Sequence, residues 1–142
     1  MSAESRRQRR ELRRLNKKER KEAFEKIKTI LEGIPNLDLQ EKLPYKERFN
    51  KFWPLLKASL ELAILMKYTG EKFDLSAQKL IVIGDSMYGK ELTDEKALDF
   101  LHQLTSYWET IEIILEILKV VASDKLDEVI DKVIEIGEWI FE

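Results

Sequence analysis

The sequence predicts an all-α protein, a small helical bundle folded as a single domain of 142 residues. Apolar residues recur at spacings of three and four along most of the chain, which is typical of helices that bury one face. The chain contains only five glycines and three prolines, too few for the many turns of a β-sandwich or barrel. The second half of the chain also repeats the pattern of the first. Together these observations predict a duplicated antiparallel helical hairpin preceded by a basic N-terminal helix.

The first element, residues 1–22, is predicted to be a basic, arginine-rich arm or helix extension. Leu12 and Leu15 are its only branched aliphatic residues, and it contains no aromatic residue, so it has too little apolar surface to form a core-facing stripe. From residue 23 onward, apolar residues appear at helical spacing. We therefore expect a single helical domain over 23–142, with its first helix ending near Gly33.

Two hairpin repeats are predicted, at about 45–88 and 93–141. Two pairs of matching segments indicate the repeat: EKFDLSAQKLIVIGD (71–85) with DKLDEVIDKVIEIGE (124–138), and WPLLKASLEL (53–62) with WETIEIILEI (108–117). Chance does not readily align a tryptophan, a Leu-Glu pair and an Ile-x-Ile-Gly sequence in the same order, so we expect a duplication. Each repeat contains two apolar stripes separated by a break, which predicts a pair of antiparallel helices.

Helical spacing also predicts the core of both hairpins. The first stripe passes through Phe52 or Trp53, Leu56, Leu60, Ala63 or Ile64, then Phe73, Ala77, Leu80, Gly84 and Met87. The second passes through Leu98, Leu101, Leu104, Trp108, Ile111, Leu115, Leu118 and Ala122, then Leu126, Ile130, Val133, Gly137 and Ile140. A glycine on such a stripe costs about 1 kcal/mol relative to alanine. Because antiparallel register brings Trp53 to Gly84 and Trp108 to Gly137, we predict that each indole packs against a glycine.

Local signals predict several helix boundaries. Pro54 is expected to begin or kink its helix, which would make Tyr45–Phe52 a separate turn. Thr93 or Asp94 is expected to cap the third helix of the repeats, and Ser123 the fourth.

Charge is distributed unevenly along the chain. Residues 1–28 contain 12 Lys and Arg against 5 Asp and Glu, a net charge of +7. Residues 29–91 contain 9 of each, and residues 92–142 contain 4 basic against 13 acidic residues, a net charge of −9. Seven of the eight arginines lie within the first 20 residues, and the eighth is Arg48. This asymmetry indicates an anionic partner at the N-terminal end.

The arm therefore predicts a non-enzymatic helical binding module that engages nucleic acid, RNA in preference to DNA, through the phosphate backbone more than through specific bases. Arginine side chains suit phosphate recognition, and the arm resembles the arginine-rich RNA-binding peptides of phage antitermination proteins, which implies a helix that enters an RNA groove. The predicted binding residues are Arg6, Arg7, Arg9, Arg10, Arg13, Arg14, Lys17 and Lys18.

Three alternatives to nucleic-acid binding stay open. In the first, the chain is a protein-interaction or scaffold subunit, whose basic arm and acidic C-terminal hairpin bind an acidic protein surface or join copies of the chain. In the second, the arm is a solvated helix end with no specific role. An anionic membrane surface is disfavoured because the arm lacks bulky apolar anchors.

The composition argues against an enzyme. There is no cysteine and a single histidine, which excludes thiolate metal sites and makes histidine-based catalysis improbable. The string LIVIGDSMYG, with Ser86, and DFLH, with Asp99 and His102, resemble blocks of the GDSL-type serine esterases, but the blocks that supply that family's oxyanion hole are missing. We predict no catalytic residue, metal or cofactor.

The expected location is the cytoplasm. No stretch is long and apolar enough to span a membrane. The basic residues of the arm are not followed by the apolar stretch of a secretory signal.

Overall fold

A computed structural model describes residues 3–34, 43–66, 69–121 and 126–141, excluding the side chains of 3–16 and of residue 121. The elements it defines are helices: α1 (Ala3–Glu32), α2 (Tyr45–Met66), α3 (Glu71–Met87), α4 (Asp94–Val121) and α5 (Asp127–Phe141). The predicted all-α class and small helical bundle are confirmed. None of these helices combines the length and the apolar character needed to cross a bilayer.

The central element of the bundle is α2, which packs against α1, α3 and α4. For this reason its buried residues lie on more than the one stripe that its repeat pattern predicts. The extra positions, which include Leu55, Ala58 and Leu62, are each at most 4% exposed. Phe24, Ile27 and Leu31 of α1 are also buried in this core. The C-terminal half of the N-terminal helix therefore docks on the rest of the bundle.

Pro54 lies inside α2, which is one helix from Tyr45 to Met66. The expectation that Pro54 begins a helix after a separate turn is therefore wrong. Proline removes one hydrogen bond, to the carbonyl four residues earlier, and that residue, Asn50, is exposed, so water can reach its carbonyl. Phe52, Trp53, Leu55 and Leu56 are buried on both sides of the proline, and this burial favours the continuous helix.

Helix ends in the second half follow their sequence signals. The backbone N–H of Lys96 donates to Thr93 Oγ1 at 3.2 Å, so Thr93 caps α4 as predicted. Gly89 has a positive φ of 77° in the turn after α3, a conformation that glycine adopts without strain. The predicted cap Ser123 lies outside the described residues.

Both predicted tryptophan–glycine contacts are confirmed. A Cβ built on Gly84 would overlap the indole of Trp53, and one built on Gly137 would overlap the indole of Trp108. Both indoles and both glycines are buried. Trp53 and Trp108 lie in the first half or the middle of α2 and α4, whereas Gly84 and Gly137 lie near the C-terminal ends of α3 and α5. The helices within α2–α3 and within α4–α5 therefore run antiparallel. The glycines are required because the rings occupy the space of a side chain.

Candidate nucleic-acid interface and charged seams

The basic arm is the N-terminal part of α1, a continuous helix of 30 residues that measures about 45 Å at 1.5 Å per residue. Its C-terminal half docks on α2, where Lys26 Nζ lies 3.7 Å from Glu61 Oε2. Glu19 of α1 and Leu65, in the last turn of α2, line one groove. The two helices therefore run antiparallel, and the helical backbone of residues 3–16 continues past the C-terminal end of α2.

The arginines of the arm continue the docking face of α1. Three positions on that face, Phe24, Ile27 and Leu31, are buried. Eighteen residues are five helical turns, and the positions eighteen residues earlier are Arg6, Arg9 and Arg13. In helical register, the positions that are buried against α2 are therefore continued beyond the end of α2 by positions that hold arginine.

The structure describes the eight predicted binding residues to different degrees. Lys17 and Lys18 are exposed. The backbone positions of Arg6, Arg7, Arg9, Arg10, Arg13 and Arg14 lie on the helical arm, but their side chains lie outside the described part of the chain.

The interface between α2 and α3, here called the α2–α3 seam, contains a cluster of three hydrogen-bonded side chains, Trp53, Lys57 and Asp85. The indole N–H of Trp53 donates to Asp85 Oδ1 at 3.0 Å, and Lys57 Nζ donates to Asp85 Oδ2 at 2.9 Å. These two hydrogen bonds, with that from Lys57 the larger cause, hold the pKa of Asp85 below its usual value. The same bond raises the pKa of Lys57. Because both charged groups are largely solvated, the pair orients the indole more than it stabilises the fold.

The corresponding seam between α4 and α5 contains two carboxylates. The aligned segments place Glu112 where the first hairpin has Lys57, and Glu138 where it has Asp85. Burial, and secondly the Glu138 carboxylate, raise the pKa of Glu112 above its usual value. Glu112 Oε1 and Trp108 Nε1 are buried without a hydrogen bond of good geometry among the described residues. The nearby indole favours the charged form of Glu112 to a lesser degree.

Two helical turns away, the same seam contains an ion pair of opposite charges. There Lys119 Nζ donates to Asp131 Oδ1 at 2.5 Å. Among the described residues, one end of the α4–α5 seam therefore contains an ion pair, and at the other end Glu112 and Glu138 form no salt bridge.

Replacing Glu112 with glutamine is expected to stabilise the protein at pH 7 and above, by up to about 1 kcal/mol, because it removes repulsion between two partly exposed carboxylates. The folded-state pKa of Glu112 is raised. The free energy of unfolding of wild type is therefore lowered at pH values above that pKa. This destabilisation disappears as the pH falls through the folded-state pKa towards the pKa of Glu112 in the unfolded chain. Urea unfolding of both proteins between pH 4 and pH 8 measures the difference.

The control for this measurement is Glu109→Gln, at an exposed position one helical turn earlier. We expect no comparable pH-dependent gain from this substitution. An advantage of Glu112→Gln that grows toward low pH would contradict the raised pKa.

The two segments that resemble blocks of the GDSL-type esterases lie at the end of helix α3 and within helix α4. Ile81–Ile83, whose β-branched residues leave a strand possible, are part of α3. Ser86 is exposed in the last turn of that helix and donates its hydroxyl proton to the Ile83 carbonyl at 2.6 Å. His102 is exposed on α4. Among the described residues, no three His, Cys, Asp or Glu side chains cluster closely enough to hold a metal ion.

Sequence reasoning missed Arg48 as a structural cation. Its side chain is only 7% exposed and lies 4.9 Å from the ring centre of Tyr45 and 5.3 Å from that of Trp139. The available signal was its isolation, since it is the only arginine outside the first 20 residues and is followed by aromatic residues.

A scan against protein-family models finds no match, and searches of curated proteins and of solved structures find no significant similarity to this chain. The function is therefore argued from the residues of the chain itself.

Proposed function

We propose that this protein is a non-enzymatic binding module whose helical arm engages the phosphate backbone of nucleic acid, RNA in preference to DNA. The observation that supports this most strongly is the continuity of α1. One helix is anchored by Phe24, Ile27 and Leu31 and extends a basic face beyond the end of α2. An arm that is helical before binding loses less conformational entropy on binding than a disordered arm would, which favours affinity.

The chemistry of the arm favours backbone contacts over base recognition. Arginine binds phosphate oxygens in a bidentate manner, and the arm contains six arginines and two lysines in the proposed binding set. It has no aromatic residue to stack on unpaired bases. The proposed substrate is therefore a structured RNA, whose groove accepts a basic helix.

Salt dependence of binding tests this proposal. Neutralising about six phosphates predicts a slope near −5 in a plot of log affinity against log salt on duplex DNA. We expect measurable binding to an RNA hairpin, tighter than to a DNA duplex. Arg9→Gln/Arg13→Gln should weaken binding about tenfold and reduce the magnitude of the slope by about 2, because two phosphate contacts are lost.

The matched control removes two cations from the bundle instead of the arm. Lys72→Gln/Lys79→Gln changes two exposed positions of α3 and should leave affinity and slope unchanged. The proposal fails if wild type does not bind RNA at low salt, or if the arm variant and the α3 variant have the same affinity and slope.

A second candidate function, protein interaction, is favoured by a particular surface. Ile113, Ile117 and Val120 lie on the outer face of α4 and are 59%, 42% and 85% exposed. Their spacing of four and three residues makes a continuous apolar stripe on one helix, a feature typical of docking surfaces.

We also propose that α2–α3 and α4–α5 arose by duplication of one hairpin. The equivalent tryptophan–glycine contacts, Trp53 with Gly84 and Trp108 with Gly137, support this origin, since both occur at matched positions of the aligned segments.

A further inference from the structure

The outer face of α4 combines an apolar stripe with a ladder of carboxylates. Ile113, Ile117 and Val120 form the stripe. Glu109, Glu112 and Glu116 lie on the side of the stripe nearer to α5, and Glu109 and Glu116 are exposed. The nearby carboxylate of Glu138 is exposed on α5. We call this surface, the stripe with its carboxylates, the α4 face.

Within the described part of the chain, the α4 face has no counterpart of the lysine in the first hairpin. Lys57 neutralises Asp85 in the α2–α3 seam, whereas no described lysine or arginine forms a salt bridge with Glu112 or Glu138. A cation from another chain would take the position beside these two carboxylates that Lys57 takes beside Asp85 in the first hairpin.

The arm has the complementary pattern. Its cations Arg6, Arg9 and Arg13 are spaced by three and four residues, as are Glu109, Glu112 and Glu116. In helical register, Leu12 lies beside Arg9, as Ile113 lies beside Glu109. Two helices packed side by side could therefore oppose arginines to glutamates while Leu12 contacts the isoleucines.

Within one chain, α1 is a continuous helix that docks along α2, whereas Ile113, Ile117 and Val120 stay exposed on α4. We therefore propose that the arm of a second copy of this chain docks on the α4 face, and that the two copies exchange arms in a symmetric dimer. A closed two-fold arrangement is the commonest form of self-association.

The contact uses the same arginines as the proposed nucleic-acid interface. RNA and the second copy are therefore competitors, and the dimer is the form in which the arm is occupied. This consequence rests on the proposed function, but the dimer itself does not.

A charge swap tests the dimer with full-length protein. At low salt and micromolar concentration, light scattering should give wild type a mass twice the 16.8 kDa of one chain. Glu112→Arg/Glu116→Arg, named the hairpin variant, and Arg9→Glu/Arg13→Glu, named the arm variant, should each be monomeric. An equimolar mixture should restore the doubled mass, because both exchanged contacts then pair opposite charges.

The apolar half of the α4 face has its own matched control. Ile113→Ser/Ile117→Ser should give a monomer, whereas Leu75→Ser/Val82→Ser on α3, at positions 53% and 69% exposed, should leave the dimer intact. Far-ultraviolet circular dichroism of each variant should give the helical spectrum of wild type, which checks that the variant is folded.

The results separate the dimer from RNA binding. The hairpin variant keeps its arm, so it should bind RNA at least as tightly as wild type. Absence of RNA binding by wild type at low salt would overturn the proposed function and leave the dimer standing. Monomeric wild type, or a mixture of folded variants that stays monomeric, would overturn the dimer.

Discussion

Replacing Gly137 with alanine is expected to lower the free energy of unfolding by about 3 kcal/mol, at the upper end of the usual range for overpacking a core. In an exposed helix the same change would add about 1 kcal/mol of stability, because alanine is the better helix former. The sign reverses here because the new methyl group would overlap the indole of Trp108. That ring has little room to move, since Phe141 packs on it with ring centres 5.6 Å apart.

Gly84 makes the equivalent contact with Trp53, so Gly84→Ala should have an effect of the same size. Trp53 is held between Phe49 and Phe100, each with its ring centre within 5.5 Å. Urea unfolding measures both variants. Gly70→Ala is the control, because a Cβ at Gly70 meets no atom within 4 Å.

A double-mutant cycle isolates the ring as the cause. In a Trp108→Leu background, the smaller side chain leaves room, and Gly137→Ala should then cost less than half as much as in wild type. A Gly137→Ala variant no less stable than Gly70→Ala would contradict the packing argument.

The tryptophan–glycine contacts could be predicted because two kinds of sequence information agreed. Helical spacing put Gly84 and Gly137 on buried stripes, and the length of each hairpin fixed which residue of the preceding helix lay opposite. The central position of α2 in the bundle could not be predicted in this way. Helical period identifies a helix with one buried face, but the burial of Leu55 and Leu62 reflects the packing of α2 against several helices, including α1 from another part of the chain.

The charged seams were also beyond sequence reasoning, for a different reason. Net charge by segment showed that the second hairpin is acidic, but not that Glu112 would lie near Glu138 while Lys119 paired with Asp131. Apolar spacing predicts the register of α4 and α5, but not which charged side chains beside the apolar stripe approach one another. Arg48 was missed because a cation among aromatic residues is normally exposed at its charged end, and its burial needs acceptors that only the folded chain supplies.

Replacing Arg48 with methionine is expected to destabilise the protein by about 3 kcal/mol, because it leaves buried acceptors without donors. Arg48 Nε donates to the Leu43 carbonyl at 2.7 Å, and Nη1 to the Ile140 carbonyl at 3.4 Å. The second carbonyl lies in the last turn of α5, where the backbone carbonyls lack helical partners and attract a cation. The aromatic rings of Tyr45 and Trp139 cover the guanidinium, so the bonds form out of water.

Lysine should replace Arg48 poorly, with about 2 kcal/mol lost, since an ammonium group cannot reproduce the planar contacts and the two directed bonds. Urea unfolding gives both values, and Lys51→Met, at an exposed position one turn further along α2, is the control, expected within about 0.5 kcal/mol of wild type. Hydrogen exchange adds a local test: the amides in the last turn of α5 should exchange faster in Arg48→Met, because Arg48 bonds the end of α5 to the start of α2. Equal stability of Arg48→Met and Lys51→Met would show that the guanidinium does not hold these elements together.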